Sequence, residues 1–391
     1  GTPRRTSTVS AAQAPWTMPS IAATITSLYP TELGVGACPY GGTRAQLDPC
    51  RITLAEALQS GAFRTQAILT NVWLTAENGY TQGFDGAVGM RPLEPYDLES
   101  LQERPLLALA RRSPLLGKAL WQVHRLLFDQ RLSSGQDGLL VNEYASDFLR
   151  QHGQERFFLW LYYMEPHAPY NPYVAFPTQP AGTAAAEAQY LRSLDYWALV
   201  EGGTVAVPEG AQSALVALYD GGVHTVDAWI GQFLAELDRL ELTERTLVVV
   251  HSDHGEEFLD HGWYGHGHTL HNELLQVPLV VAGPGIPPGQ AIATPVQLLD
   301  LMPTLLEAAA LPAPEAARGR SLWPLLHGEE LVEVPSYAEQ LHTTCAEQKA
   351  VYYQGWKLIY ALATARSQLY TLAGDPAEQG DRAAMEGQRR E

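Results

Sequence analysis

The sequence predicts an α/β fold: a largely parallel central sheet with helices on both faces, and a small antiparallel β subdomain at the C-terminal end. Three observations carry the prediction. Short apolar runs recur without alternation, as strands covered on both faces should read. Amphipathic helical patterns lie between them, the order that builds a parallel sheet. After about residue 325 the pattern changes to short β-like runs joined by tight-turn residues.

The strands are expected at "TQAILTN" near Thr65, "RFFLWLYYM" from Arg156, "RTLVVVHS" from Arg245 and "VPLVVAG" from Val277, all read as buried and parallel. Between them, "ITLAEALQSG" from Ile52 has apolar residues at helical spacing and stops at Gly61. A long amphipathic helix runs from Ser213 through "SALVALYDGGVHTVDAWIGQFLAELDRLEL", and "PVQLLDLMPTLLEAAAL" from Pro295 reads as another, with "LPAP" beyond its end. The segment 92–150, with Arg111, Arg112, Lys118, His124 and Arg125, reads as an inserted helix or helix pair packed on the sheet. We expect an α/β unit over residues 1–325 and a small β-rich unit over 326–391, with a turn at Gln354-Gly355 and a polar tail.

Composition narrows the function classes. The 391 residues are 46% hydrophobic, ample for a large core, and the net charge is −18. So acidic a surface argues against nucleic acid, whose phosphates need a basic face, and fits an anionic membrane poorly. No apolar run approaches the length that spans a bilayer, and the first residues have no signal-peptide core. An anionic substrate must therefore be held locally, by a metal or a few basic groups. Cys38, Cys50 and Cys345 do not make a disulfide scaffold. Cys38 and Cys50 pair only in an oxidising compartment, and three free thiols fit the sequence as well.

Half of the twelve histidines lie in "LVVVHSDHGEEFLDHGWYGHGHTLHNELLQVPLVVAGPG". Asp253 and His254 follow an apolar strand directly, and ligands of open α/β sheets bind at the carboxyl ends of strands. A carboxylate beside an imidazole suits zinc or manganese ahead of calcium or magnesium. The plainer reading is a turn in which Asp253 caps a helix at "GEEFL". "APWTMPSIAATITSLYP" puts Thr17 ahead of a helix with Pro19 in its first turn. Such a residue is usually an N-cap. It is also where a hydroxyl nucleophile would gain from the helix dipole and free N–H groups. In "MEPHAPYNP", Pro166, Pro169 and Pro172 force an irregular loop just past a strand end, and His167 sits in it. Asp220 and His224 are four apart on one helical face, a spacing that can bind a second metal but more often only faces solvent.

Together these stretches resemble the sulfatase-like branch of the alkaline phosphatase superfamily. "TMPSIAATITSLYP", "TLAEAL", "MEPHAPY", "YDGGVHTVDAWIGQFL", "SDHGEEFLDHGWYGHGHTL", "VPLVVAGPG" and "WKLIY…QLYTLAGDPAE" follow that branch's order along nearly the whole chain. The resemblance implies an alkaline-phosphatase/sulfatase-like fold and an ester hydrolase with one divalent metal ion. It implies Thr17 as nucleophile and metal ligand, Asp253 and His254 as metal ligands, His167 on the transferred group, and His268 beside the leaving-group oxygen. His266 is a further active-site candidate, whereas His251, His261 and His271 read as structural or solvated. The substrate would be a sulfate or phosphate ester of a small molecule, glycan or lipid, and the family favours an extracytoplasmic setting.

Two departures shape the expectation. Sulfatases proper carry Cys or Ser, converted to formylglycine, followed four residues on by Arg. Here those positions are Thr17, which cannot become formylglycine, and Ile21. Thr nucleophiles belong to phosphodiesterase and phosphoethanolamine-transferase members, which points toward phosphoryl transfer. The family also opens with a strand ending in metal-binding aspartates. Only sixteen residues precede Thr17, none of them acidic, so a sheet position is expected to stand empty. A transferase and a non-catalytic, degenerate member are the competing readings.

Overall fold

A computed structural model describes residues 6–35, 46–89, 137–168, 170, 211–341 and 347–383. In chain order, β1 (Thr6–Ala11) leads into α1 (Thr17–Thr26) and the single turn α2 (Pro30–Leu33). Then come α3 (Leu54–Ser60), β2 (Arg64–Leu69), β3 (Gly86–Gly89), α4 (Asp137–His152), β4 (Phe157–Tyr162) and the long α5 (Ala211–Arg239). β5 (Val248–His251) precedes the short β6 (Glu257–Phe258) and β7 (Tyr264–Gly265), then α6 (Asn272–Leu275), β8 (Gln276–Ala282) and β9 (Gln290–Gln297). α7 (Leu301–Ala308), α8 (Trp323–Leu326) and the strands β10 (Ser336–Gln340), β11 (Gln348–Tyr353), β12 (Trp356–Ala361) and β13 (Arg366–Thr371) complete it.

Local chemistry explains most boundaries. Thr53 caps α3 by accepting from the Glu56 amide, and the Glu56 carboxylate accepts the Thr53 amide in return, a closed capping box. Gly138 sits where a Cβ would lie 2.0 Å from the Trp229 ring, so the absent side chain lets α4 and α5 pack closely. Gln354 and Gly355 both have positive φ (48° and 74°), the turn that joins β11 to β12 as a two-residue hairpin.

The central sheet lies in two pieces. β3, β2 and β4 pair in parallel, and the other piece has the order β5-β8-β1-β9. Among the described residues no strand pairs with the outer edge of β4 or of β5, and both strands are half-buried along their length. Phe157, Leu159 and Val248 from these strands nevertheless share one apolar cluster with Phe148, Leu149, Leu237 and Leu242. β8, expected parallel, runs antiparallel to both β5 and β1. The chain from β5 to β8 contains only short elements, whereas a parallel return needs a crossover, usually a helix. The helix expected from Pro295 starts later: Pro295 belongs to β9, at the register shift of its pairing with β1, where a missing N–H is tolerated. α7 then carries Pro303 in its first turn, where its ring does no harm.

The sheet β10-β11-β12-β13 is antiparallel throughout. Its inner face, with Ala338, Ala350, Ile359 and Tyr370, is continuous with the core around Val277, Leu279, Leu298 and Leu301. Of the insertion expected over 92–150, residues 92–136 lie outside the described residues and 137–150 belong to α4; Pro169, Pro172, Cys38 and Cys345 also lie outside them. Cys50 is exposed. No described helix is long and apolar enough to cross a membrane.

Candidate active site

The site forms where the C-terminal ends of β4 and β5 meet the N-terminus of α1. Thr17 is the first helical residue rather than the cap; Trp16 holds the cap position and makes no side-chain cap hydrogen bond. The Thr17 hydroxyl is therefore not spent on α1, and its Oγ1 lies 3.3 Å from His254 Nε2. Ser20, one turn on, donates to the Asp253 carbonyl at 2.6 Å, which ties α1 to the loop after β5. No helix follows Asp253. "GEEFL" instead contains the two-residue β6, so the capping reading of Asp253 does not hold.

Asp253 and His254 are held by their own loop. His254 Nδ1 faces the Gly255 carbonyl at 2.8 Å, so Nδ1 carries the proton and Nε2 keeps its lone pair. That lone pair is 3.7 Å from Asp253 Oδ2 and 3.3 Å from Thr17 Oγ1. Donors about 2.0–2.1 Å from a tetrahedral zinc would stand about 3.3–3.4 Å apart. The donor set, one carboxylate, one imidazole of fixed tautomer and one hydroxyl, thus fits a divalent cation. Gly255 makes the loop possible, because a Cβ there would lie 1.9 Å from the Glu273 carbonyl oxygen. Burial raises the Asp253 pKa, but His254 first, then the Tyr162 hydroxyl, His251 and His266 outweigh it, and the carboxyl stays below its ordinary value.

A second ring of groups surrounds these donors. His167 holds its place in the loop after β4 through its amide, which donates to Met164 O, and its Nδ1, 2.6 Å from Ala168 O. The His266 ring centroid is 4.3 Å from that of His254 and 5.0 Å from that of His167, and its Nδ1 lies 2.8 Å from Glu256 Oε1. Burial, then neighbouring imidazoles, lowers His167 to about 4 and His266 well below its ordinary value. Burial raises Glu256.

His268 sits behind this ring. Its Nε2–H donates to Glu257 Oε2 at 3.1 Å, and its ring stacks on Trp263. The imidazole beside His254 and His167 is that of His266. Gly265 and Gly267, both near φ +89°, turn the chain at every other residue, so the two histidines have different neighbours. Asp220 and His224 are exposed on α5. Tyr162, which the sequence reading passed over as a strand residue, donates its hydroxyl to Asp253 Oδ2 at 3.1 Å.

His261 and His271 are structural in this geometry. His261 Nδ1 is 2.6 Å from Glu273 Oε1 and Nε2 is 3.0 Å from Glu378 O, so both nitrogens donate, and the ring's pKa is raised despite burial. His271 stacks on it at 3.6 Å with 3° between the ring planes. His261, His271 and Glu378, and likewise Glu257, His261 and Glu273, bring ligand atoms within 4.8 Å of one another. Stacked imidazoles point their in-plane lone pairs in parallel, however, and Lys357 Nζ already sits 2.6 Å from Glu378 Oε1.

Comparisons with known proteins give the family. A family model described as "Sulfatase" matches residues 6–311, and one described as "N-sulphoglucosamine sulphohydrolase, C-terminal" matches 259–387. Arylsulfatase K of Homo sapiens is 30% identical over 174 residues, 41% of this chain and 32% of that protein. Choline-sulfatase of Rhizobium meliloti (strain 1021) is 31% identical over 164 residues, 41% of this chain and 31% of that protein. The chain thus spans about a third of the length of these curated relatives. Among solved structures, a 2-O GAG sulfatase superposes with a TM-score of 0.70 at 17% identity, covering 97% of this chain and 80% of that one. The phosphonate monoester hydrolase of Agrobacterium radiobacter gives 0.69 at 19%, covering 98% and 86%. At such identities the likeness is one of fold. The family match, over most of the chain and including every residue of the site, carries the conclusion: the chain belongs to the sulfatase family, within the alkaline phosphatase superfamily.

Proposed function

We propose that this chain hydrolyses a sulfuric ester of a small molecule or glycan, using Thr17 as nucleophile and a divalent cation held by Thr17, Asp253 and His254. The observation that carries the proposal is the convergence of Thr17 Oγ1 and Asp253 Oδ2 on the free lone pair of His254 Nε2, at 3.3 and 3.7 Å. Metal dependence is general in the family, and the fit of these donors supports it here. A cation bound there would neutralise charge on the hydroxyl and on one ester oxygen.

The chain's own residues supply the rest. Thr17 stands at the positive end of α1, which favours both an alkoxide and an anionic group before it. Its oxygen bonds to sulfur as the bond from sulfur to the substrate alcohol breaks. His266, neutral and backed by the Glu256 carboxyl, takes the Thr17 proton and passes it to the departing alkoxide. His167 contacts an oxygen of the transferred group. Water then attacks the Thr17 ester, releasing sulfate and restoring the hydroxyl. His268 supports this arrangement through Glu257 and does not carry the proton.

Phosphoric esters are the second reading, favoured by one observation: a threonine stands at the nucleophile position. Aryl sulfate, aryl phosphate and aryl phosphonate monoesters, each tested with zinc and with manganese, separate the readings. Hydrolysis lost in Thr17→Ala and retained in part in Thr17→Ser supports the proposal. Hydrolysis that survives Thr17→Ala removes Thr17 from the chemistry. A chain that binds metal and cleaves none of the three would favour a transferase or a binding protein.

A further inference from the structure

The site's described protein ligands are few, so whatever fixes their rotamers matters more than in a site with a full set. Asp253 Oδ1 is engaged by the amide of His254 at 3.1 Å. Its other oxygen, the one facing His254 Nε2, has a single described hydrogen-bond donor: the hydroxyl of Tyr162, at 3.1 Å. Tyr162 is the last residue of β4, and Thr70, just past the end of the neighbouring β2, anchors it by donating to its carbonyl at 2.7 Å. Thr17 and Asn71 are among the side chains that surround this phenol. One hydroxyl, fixed by the sheet, therefore holds the carboxylate.

A phenol has one hydrogen to give, and Asp253 Oδ2 takes it, so the hydroxyl fixes which way that carboxylate oxygen turns.

We infer that Tyr162 is the positioning residue of the cation site: its hydroxyl aims Asp253 Oδ2 toward His254 Nε2, so that the carboxylate and the imidazole present lone pairs to one point beside the Thr17 hydroxyl. The inference rests on the metal reading of Thr17, Asp253 and His254. Polar partners just outside a metal's ligands typically contribute 10- to 100-fold in metal affinity.

The test is the dissociation constant for zinc and for manganese, measured by chelator competition on the wild-type chain, Tyr162→Phe, Tyr162→Met and Asp253→Ala. Both Tyr162 variants lack the hydroxyl and keep an apolar side chain, so at least one should retain the fold, checked by circular dichroism and melting without metal. The expected result is about 10- to 100-fold weaker binding in each folded Tyr162 variant, with loss of binding in Asp253→Ala. Tyr162 variants within threefold of wild type, beside an Asp253→Ala variant that loses metal, would overturn the inference and leave the metal reading intact. A wild-type chain that takes up neither metal would overturn the metal reading and the inference with it.

Discussion

Glu378 and Lys357 form an ion pair with no side-chain exposure on either partner, Nζ to Oε1 at 2.6 Å, between β12 and the segment that follows β13. Lys357 has one further hydrogen-bond partner, Asn272 Oδ1 at 3.0 Å, and its ammonium lies over the Tyr352 ring. Burial lowers the Lys357 pKa to about 8 even with Glu378 beside it. The variant Glu378→Gln keeps an acceptor for the Asn272 amide, now 2.8 Å from Oε2, but removes the carboxylate in contact with the ammonium and leaves only the weaker influence of Glu273 among the described acidic groups. Breaking a buried pair from one side costs about 3–5 kcal/mol, because the remaining charge is stranded or must be neutralised. For 391 residues at about 2.1 cal/mol/K each, the unfolding entropy is about 0.8 kcal/mol/K, so the melting temperature should fall by about 4–6 °C. Lys357→Met together with Glu378→Gln should recover more than half of that loss, since two matched deletions leave no orphan charge. Denaturant unfolding of the wild type, both singles and the double gives the cycle. A single variant that loses under about 1 kcal/mol, or a double that loses as much as the sum, would refute the claim that this pair is charged and coupled.

Three further outcomes follow from the same structure. His271 is held down to about 3 by burial first, with His261 and Lys357 adding to it. Below 6.5 the unfolded chain therefore binds a proton that the folded chain refuses, and stability falls with pH until about 3. His271→Phe keeps the stack on His261 and removes that titration, so between pH 6.5 and 4.5 it should lose about 2 kcal/mol less than wild type in urea unfolding. Gly255→Ala places a Cβ 1.9 Å from a backbone oxygen, and the loop holding His254 must shift. Metal affinity should drop at least tenfold, read by the same chelator competition, with little change in the melting point of the metal-free chain. Ile21→Arg, which restores the residue sulfatases proper carry four positions after the nucleophile, should not raise sulfate-ester turnover. Ile21 is buried among the apolar Met18, Ala22 and Leu28, and a charge introduced there should lower stability by several kcal/mol.

The parts of this molecule that follow from local rules could be read in the sequence. α3 announces itself through Thr53, Glu56 and Gly61, and the β11–β12 turn through Gln354-Gly355, because capping and turn chemistry involve only neighbours in the chain. Strand direction did not follow: "VPLVVAG" is apolar on both faces whichever way it runs, and only the lack of a crossover after β5 reverses it. The site divides along the same line. Asp253, His254 and Thr17 are marked by their place at a strand end and a helix start, where backbone groups are free. Which imidazole of "GHGH" joins them depends on two glycines with positive φ, and neither residue type nor spacing encodes that. Tyr162 is the extreme case. In sequence it is one more aromatic in "FFLWLYY", indistinguishable from Phe157 or Trp160. Its role comes from a coincidence of three elements, the end of β4, the loop after β5 and the first turn of α1, which meet only in the fold. A hydroxyl on an apolar strand costs more than it returns when it finds no partner. Here the hydroxyl finds Asp253, so that strand position has to satisfy the site as well as the core.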